Sequence, residues 1–240
     1  MLTIGSLFSG IGGLELGLEW AGLGPVIWQA ESDPFCREVL ARHWPGVRRY
    51  DDVREIDGEA KRPDIICGGF PCQDISDASR GRGKGIAGDR SGLYREIVRI
   101  ASALRPRWVI LENTDGAAWG KWVPVVRREL HCIGFPSVPF RVCASGVGAP
   151  FKGSRIFVVA APYGESESTS PFDAKVAELP ASARACWSNW GQPSSRALGM
   201  ADGIPNRMER LEALGNAVVP QCAEVVGHAL VEIAEMTGRI

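Results

Sequence analysis

The residues best able to do chemistry lie in one short run, Asp64-Ile65-Ile66-Cys67-Gly68-Gly69-Phe70-Pro71-Cys72-Gln73. Ile65 and Ile66 have the character of a buried strand, and Pro71 restricts the approach of the chain to Cys72 on the turn that follows. In an α/β sheet that turn is where ligands meet the protein. A thiol placed there is a candidate nucleophile. It reacts as thiolate, so its site must favour loss of the proton or accept it during attack. Gly68 and Gly69 predict that the backbone passes close to something bound.

A second constellation surrounds Phe8-Ser9-Gly10-Ile11-Gly12-Gly13, a glycine turn between a strand and a helix. Such a turn leaves backbone N–H groups free at a helix start and lets a cofactor approach closely. Glu31 follows the second predicted strand, where an acid can accept from both hydroxyls of a ribose. Asp52 follows the third, placed to accept from an adenine amino group. This order points to an adenosine-containing cofactor. A third feature is a basic loop: Arg80, Arg82, Lys84, Arg90, Arg95 and Arg99 stand against only Asp89 and Glu96, a local excess of four positive charges. Its glycines, Gly81, Gly83, Gly85 and Gly88, suit a segment that closes over a polyanion.

These groups must be held by a scaffold, and the hydrophobic pattern supplies one. Strands are predicted over residues 2–8, Val26–Ala30, the approach to Asp51, Ile65–Cys67, Trp108–Leu111, Phe135–Ala144 and Arg155–Ala161. Helices are predicted over Leu14–Ala21, with Leu14, Leu16, Leu18 and Trp20 among its apolar positions, and over Pro34–His43, Leu93–Leu104, Val123–Leu130, Met208–Leu214 and Gln221–Glu235. Strands alternating with helices at this spacing make an α/β fold with a doubly wound, mostly parallel sheet. The Pro-containing, weakly periodic stretch 163–206 predicts a small irregular second lobe. This divides the chain into a catalytic and cofactor-binding domain (1–162), the lobe (163–206), and a C-terminal segment (207–240) that returns to the first domain.

Composition narrows the function classes. The 240 residues carry 45% hydrophobic and 23% charged side chains, ordinary globular values. A net charge of −1 means that any nucleic-acid contact rests on local patches. The seven cysteines form no C-x-x-C pair and only three histidines are present, so no zinc spacing and no metal is expected, and the thiols are expected to stay reduced. Met1 leads straight into a strand and no apolar run of spanning length is evident, which predicts no signal peptide, no membrane partner and a cytoplasmic monomer.

Taken in order, Phe8–Gly13, Pro71-Cys72-Gln73 with Ser76, Asp89-Arg90-Ser91-Gly92-Leu93, Glu112-Asn113, Arg155 and Gly215-Asn216-Ala217-Val218 resemble the motifs of the DNA (cytosine-5)-methyltransferases, covering about residues 3 to 230. The resemblance implies a Rossmann-like methyltransferase of bacterial or phage type, with S-adenosylmethionine as cofactor and double-stranded DNA as partner. It implies that Cys72 attacks C6 of a flipped cytosine, Glu112 holds the base at N3 and N4, Asn113 fixes the adjoining turn and Arg155 donates to O2. Phe8, Gly10, Ile11, Gly12, Glu31, Ser32, Asp52, Val53, Leu93 and Asn216 would line the cofactor pocket. Gln73, Ser76, Arg80, Arg82, Lys84, Arg90, Lys152 and Arg196 would face DNA.

The chain also departs from the family pattern. Phe151-Lys152-Gly153-Ser154-Arg155 stands where a Gln-x-Arg-x-Arg is usual, Thr114 replaces a common valine, and Ser32 is smaller than in many relatives. A lobe this short predicts a recognition site of few bases or relaxed specificity, with Trp187, Ser188, Asn189, Trp190, Gln192 and Arg196 as the residues with suitable donors or stacking faces, the two tryptophans alternatively forming the lobe's own core. The departure at Gly153 keeps open a weak or inactive DNA-binding homologue. The glycine turn alone would also suit a nicotinamide-dependent oxidoreductase, and RNA is an alternative substrate.

Overall fold

A computed structural model describes residues 1–71, 91–115, 122–151, 153–162 and 207–236. Its centre is a seven-stranded sheet: β1 (Ile4–Leu7), β2 (Val26–Ala30), β3 (Arg48–Tyr50), β4 (Ile65–Gly69), β5 (Trp108–Thr114), β6 (Ser137–Cys143) and β7 (Ser154–Ala160). The order is β3-β2-β1-β4-β5-β7-β6, parallel from β3 to β5 and antiparallel where β7 meets β5 and β6. The helices are α1 (Gly13–Trp20), α2 (Pro34–His43), α3 (Tyr94–Leu104), α4 (Val123–Cys132), α5 (Arg207–Asn216) and α6 (Pro220–Met236). The chain leaves β1 toward β2 and β3 on one side, then returns to build β4 and β5 on the other. The order in which strands are added to the sheet thus reverses between the parallel neighbours β1 and β4, the place where doubly wound sheets bind ligands.

Local chemistry accounts for the element boundaries. Asp33 caps α2 by accepting from the Cys36 N–H at 2.8 Å, and Pro34 supplies a preset φ at the first turn. The buried positions of α3, Ile97, Ile100, Ala101 and Leu104, recur at three- and four-residue spacing and form one face against the sheet. Strand β1 ends earlier than predicted because Phe8 adopts φ 54, a left-handed conformation uncommon for an aromatic residue. In α1, Leu14 and Leu18 are buried as expected, but Trp20 is exposed, so the apolar stripe is narrower than the sequence suggests.

Two apolar layers cover the sheet. One joins Leu7, Ile66, Val109, Leu111, Ile156 and Val158 to α3 and α4. The other joins Ile4, Ile65, Cys67, Trp108, Ile110 and Phe157 to α1 and α6. In the C-terminal segment, α6 packs against α1. The run Met208–Met236 is long and apolar enough by composition to cross a membrane, contrary to the sequence reading. The structure gives it another use: Cys222, Ala223, Val226, Leu230 and Ile233 are buried in the second layer, as in a core helix.

The α1–α6 contact is close because glycine allows it. A Cβ on Gly17 would stand 2.1 Å from the Pro220 carbonyl oxygen and 2.6 Å from the Ala223 Cβ. The Gly17→Ala variant is therefore expected to lose about 1–3 kcal/mol, lowering the melting temperature by several degrees. A thermal melt checks this, and an unchanged transition would contradict the packing described.

Candidate active site

Every described residue expected to act on a base or cofactor lies at the carboxyl rim of the parallel strands or beside it. Phe8 and the turn Gly10–Gly12 follow β1, Glu31 and Ser32 follow β2, and Asp52 and Val53 follow β3. Phe70 and Pro71 follow β4, while Glu112 and Asn113 sit near the end of β5. Strand β7 runs the other way, so its first residues return to the same rim. Thr114 pairs with Arg155 and Glu112 with Phe157, which makes Glu112 and Arg155 diagonal neighbours.

The sequence ends β5 at Leu111, but the strand continues through Glu112, Asn113 and Thr114. Side-chain alternation then sends Glu112 and Asn113 to opposite faces. Glu112 is buried, and its Oε1 lies 3.4 Å from Arg155 Nε without forming a hydrogen bond. Burial pushes its carboxyl from an ordinary 4.5 up to about 7, with the Arg155 guanidinium opposing part of that rise. Near neutral pH it is therefore poised between acid and carboxylate. Arg155 also donates through an NH2 group to the Ala217 carbonyl at 3.2 Å, joining β7 to the Gly215–Val218 motif.

Gly69 lies opposite Glu112 in the β4–β5 ladder. A Cβ there would stand 2.8 Å from Glu112 Oε2, and one on Gly68 would stand 2.7 Å from the Leu7 carbonyl oxygen. The sequence reading had both glycines making room for something bound. The structure assigns the room to the protein's own atoms, and for Gly69 that atom is the Glu112 Oε2. On the other face, the Asn113 side-chain amide donates to the Phe70 carbonyl at 2.8 Å, while its oxygen accepts from the Thr114 N–H at 2.8 Å. Asn113 thereby holds the backbone two residues before Cys72. Cys72 itself, with Gln73, Ser76, Arg80, Arg82, Lys84, Arg90, Lys152 and Arg196, lies outside the described residues.

At the other side of the rim, Glu31 ties the glycine turn to the end of β2. One carboxylate oxygen accepts from the Gly10 N–H at 2.7 Å and the other from the Asp33 N–H at 2.9 Å. Gly10 has φ 55, and nothing lies within 4 Å of where its Cβ would be, so the turn presents an open face. Asp52 accepts from the Arg54 N–H at 2.9 Å and pairs with the Arg54 guanidinium, which holds its carboxyl below the usual range. Leu93 closes the short turn before α3, and Asn216, exposed, ends α5. Gly12 and Gly13 do more than free the backbone. A Cβ on Gly12 would meet the Trp44 ring at 2.3 Å, and one on Gly13 would meet the Val218 carbonyl oxygen at 2.2 Å.

The departure at Gly153 also has a local account. A Cβ there would lie 3.3 Å from the Phe151 ring and 3.5 Å from Ala144, so the space beside position 153 is occupied by the phenylalanine. Arg155 keeps its place on Glu112 despite that change. Among the described residues no group of three or more His, Cys, Asp or Glu is arranged to hold a metal ion.

Most of the chain matches a known family. The family model for C-5 cytosine-specific DNA methylases matches residues 2–185. Type II methyltransferase M2.BsuMI of Bacillus subtilis is 36% identical over 166 residues, covering 66% of this chain and 42% of that protein. Type II methyltransferase M.HhaI of Haemophilus parahaemolyticus is 30% identical over 158 residues, covering 64% of this chain and 47% of that one. The chain thus spans about half the length of these curated relatives. Among solved structures, a candidate DNA modification methyltransferase encoded within an E. coli prophage superposes with a TM-score of 0.67 at 18% identity, covering 98% of this chain and all of that one. The S. pombe Dnmt2 methyltransferase superposes at 0.64 with 13% identity over 99% of both chains, and these two likenesses establish the fold. With residues 2–185, most of its length, matched by the family model, the chain belongs to the C-5 cytosine-specific DNA methylase family.

Proposed function

We propose that the protein is a DNA cytosine-5 methyltransferase, placing a methyl group on C5 of a cytosine rotated out of double-stranded DNA. The observation that carries this reading is Glu112: a buried carboxyl held near 7, against Arg155, on the strand adjoining the one that leads to Cys72. A cytosine ring has a weakly nucleophilic C5 and must be activated before it accepts a methyl group. The Cys72 thiolate adds to C6, and the displaced electron pair moves onto the ring while the Glu112 carboxyl donates its proton toward N3. Arg155 offers a cation to the O2 side of the ring as negative charge grows there.

The glycine turn, Glu31 and Asp52 fit S-adenosylmethionine. An open backbone face beside Gly10 and acids after two successive strands suit an adenosine, and Phe8, Ile11, Ser32, Val53, Leu93 and Asn216 would complete the pocket. When bound, that cofactor supplies an electrophilic methyl group on a sulfonium. C5 would form its new bond to the methyl carbon as the methyl–sulfonium bond breaks, with the rest of the cofactor leaving as a neutral thioether. Loss of the C5 proton to a base in solution then restores the C5–C6 double bond, the sulfur of Cys72 leaves, and Glu112 returns to its starting protonation state. Extrusion of the base costs a few kcal/mol and is compensated by contacts to the flipped ring and the phosphates, for which the basic loop 80–90 is suited.

The test is methyl transfer from labelled S-adenosylmethionine into unmodified duplex DNA, run beside Cys72→Ser and followed by bisulfite sequencing. The expected result is incorporation at cytosine C5, abolished in the variant, at a site of few fixed bases. Incorporation that survives Cys72→Ser would refute the covalent route. Binding of DNA without incorporation would instead favour the inactive homologue suggested by Phe151 and Gly153.

A further inference from the structure

We propose that Glu15 is a positioning residue for the methyl donor, acting from beneath the glycine turn; the inference rests on the donor reading above. Glu15 lies in the first turn of α1, one residue after Leu14 and three before Leu18, on the face turned to the sheet. It is fully buried, an unusual place for a carboxyl, and burial raises its pKa. Ser6 of β1, Gln29 of β2 and Ser9 of the turn stand as its polar neighbours, and Cys67 of β4 lies nearby. All four polar residues are buried.

The cluster is joined mechanically to the turn. The Ser9 hydroxyl bonds to that of Ser6 at 2.9 Å, the Ser9 N–H donates to the Ala30 carbonyl at 3.1 Å, and the Ser9 carbonyl accepts from the Gly12 N–H at 2.9 Å. Ser6 and Gln29 are register partners across β1 and β2. Yet these contacts are loose: Ser6, Ser9 and Gln29 lie close enough to interact with the Glu15 carboxyl, but no contact of either Glu15 oxygen or of either polar atom of the Gln29 amide meets full hydrogen-bond geometry. Buried polar groups are almost always satisfied, and unmet capacity concentrated under a ligand turn marks a site whose bonding is completed in another state. Here that state is the donor-bound one: the turn Phe8–Gly12 settles toward the sheet, and the neutral Glu15 acid bridges Ser9, Ser6 and Gln29.

An apolar residue of similar length distinguishes positioning from packing. Replacing an unsatisfied buried carboxyl by Met removes a desolvation cost, so Glu15→Met is expected to leave the melting temperature unchanged or raised. Its affinity for S-adenosylhomocysteine, measured by titration calorimetry, is expected to fall about tenfold or more, the loss of one or two net hydrogen bonds. Glu15→Gln, which keeps hydrogen bonding at that position, is expected to stay within about threefold of the unaltered protein. Ser9→Ala removes only the hydroxyl that links the turn to the cluster and is expected to weaken binding severalfold, giving a second reading should the Met variant not fold. Glu15→Met or Ser9→Ala binding as tightly as the unaltered protein would overturn the assignment, as would Glu15→Gln losing as much as Glu15→Met. Failure of the unaltered protein to bind would bring down the donor reading, and this assignment with it.

Discussion

Glu112→Gln is expected to lower kcat about 10²- to 10³-fold while making the folded protein more stable above neutral pH. The loss follows from the proposed role of Glu112 as proton donor to a ring whose charge changes during attack. The gain in stability follows from the same burial. The folded carboxyl holds its proton up to about 7, whereas the unfolded one releases it near 4.5. Between those values the folded state binds more protons, so Glu112 disfavours folding increasingly as pH rises from 4.5 to 7 and by a constant amount beyond. The penalty is on the order of 3 kcal/mol. A glutamine pays none of it, so the variant's melting temperature should exceed that of the unaltered protein by several degrees at pH 8 and converge with it near pH 4. In kcat/KM, the unaltered protein should show a falling basic limb near pH 7 that the variant lacks. An active variant with an unchanged pH profile would remove Glu112 from the mechanism.

Gly69→Ala is expected to cost about 10²-fold in activity with little change in stability. The added carbon would stand 2.8 Å from Glu112 Oε2, and the carboxylate can give way only by leaving its position beside Arg155. Displacements of about an ångström in a reacting group carry penalties of this size. Steady-state kinetics beside a thermal melt separates the effect from unfolding. Full activity in Gly69→Ala would show that the carboxylate has room the structure does not give it.

Much of the scaffold was legible because it is written in local patterns. Val26–Ala30 and Pro34–His43 have the boundaries their apolar periodicity and their Asp-Pro start predict. The end of β5 was not legible, since Glu112-Asn113-Thr114 is polar and is held in the strand by pairing with β7, which no local pattern reveals. The site residues that could be read were those belonging to motifs. Those missed act through contacts between distant strands: Gly69 matters only because register puts it opposite Glu112, and the Ala217 carbonyl only because it reaches Arg155. Glu15 left a trace, a charged residue on the same helical face as Leu18, which is the face the core takes. Cys72, the nucleophile proposed above, was singled out from its motif in the sequence and lies outside the described residues.

The central claim is that the sulfur of Cys72 bonds to C6 of the target ring, and its most direct test is trapping. Duplex DNA carrying 5-fluorocytosine offers a ring whose C5 holds no proton to lose after methylation, so the sulfur cannot be expelled. With S-adenosylmethionine present, a denaturation-resistant protein–DNA adduct is expected, with peptide mapping placing the link at Cys72 and with no adduct from Cys72→Ser. A protein that binds both S-adenosylmethionine and this DNA yet forms no such adduct, or forms it at another residue, would contradict the account.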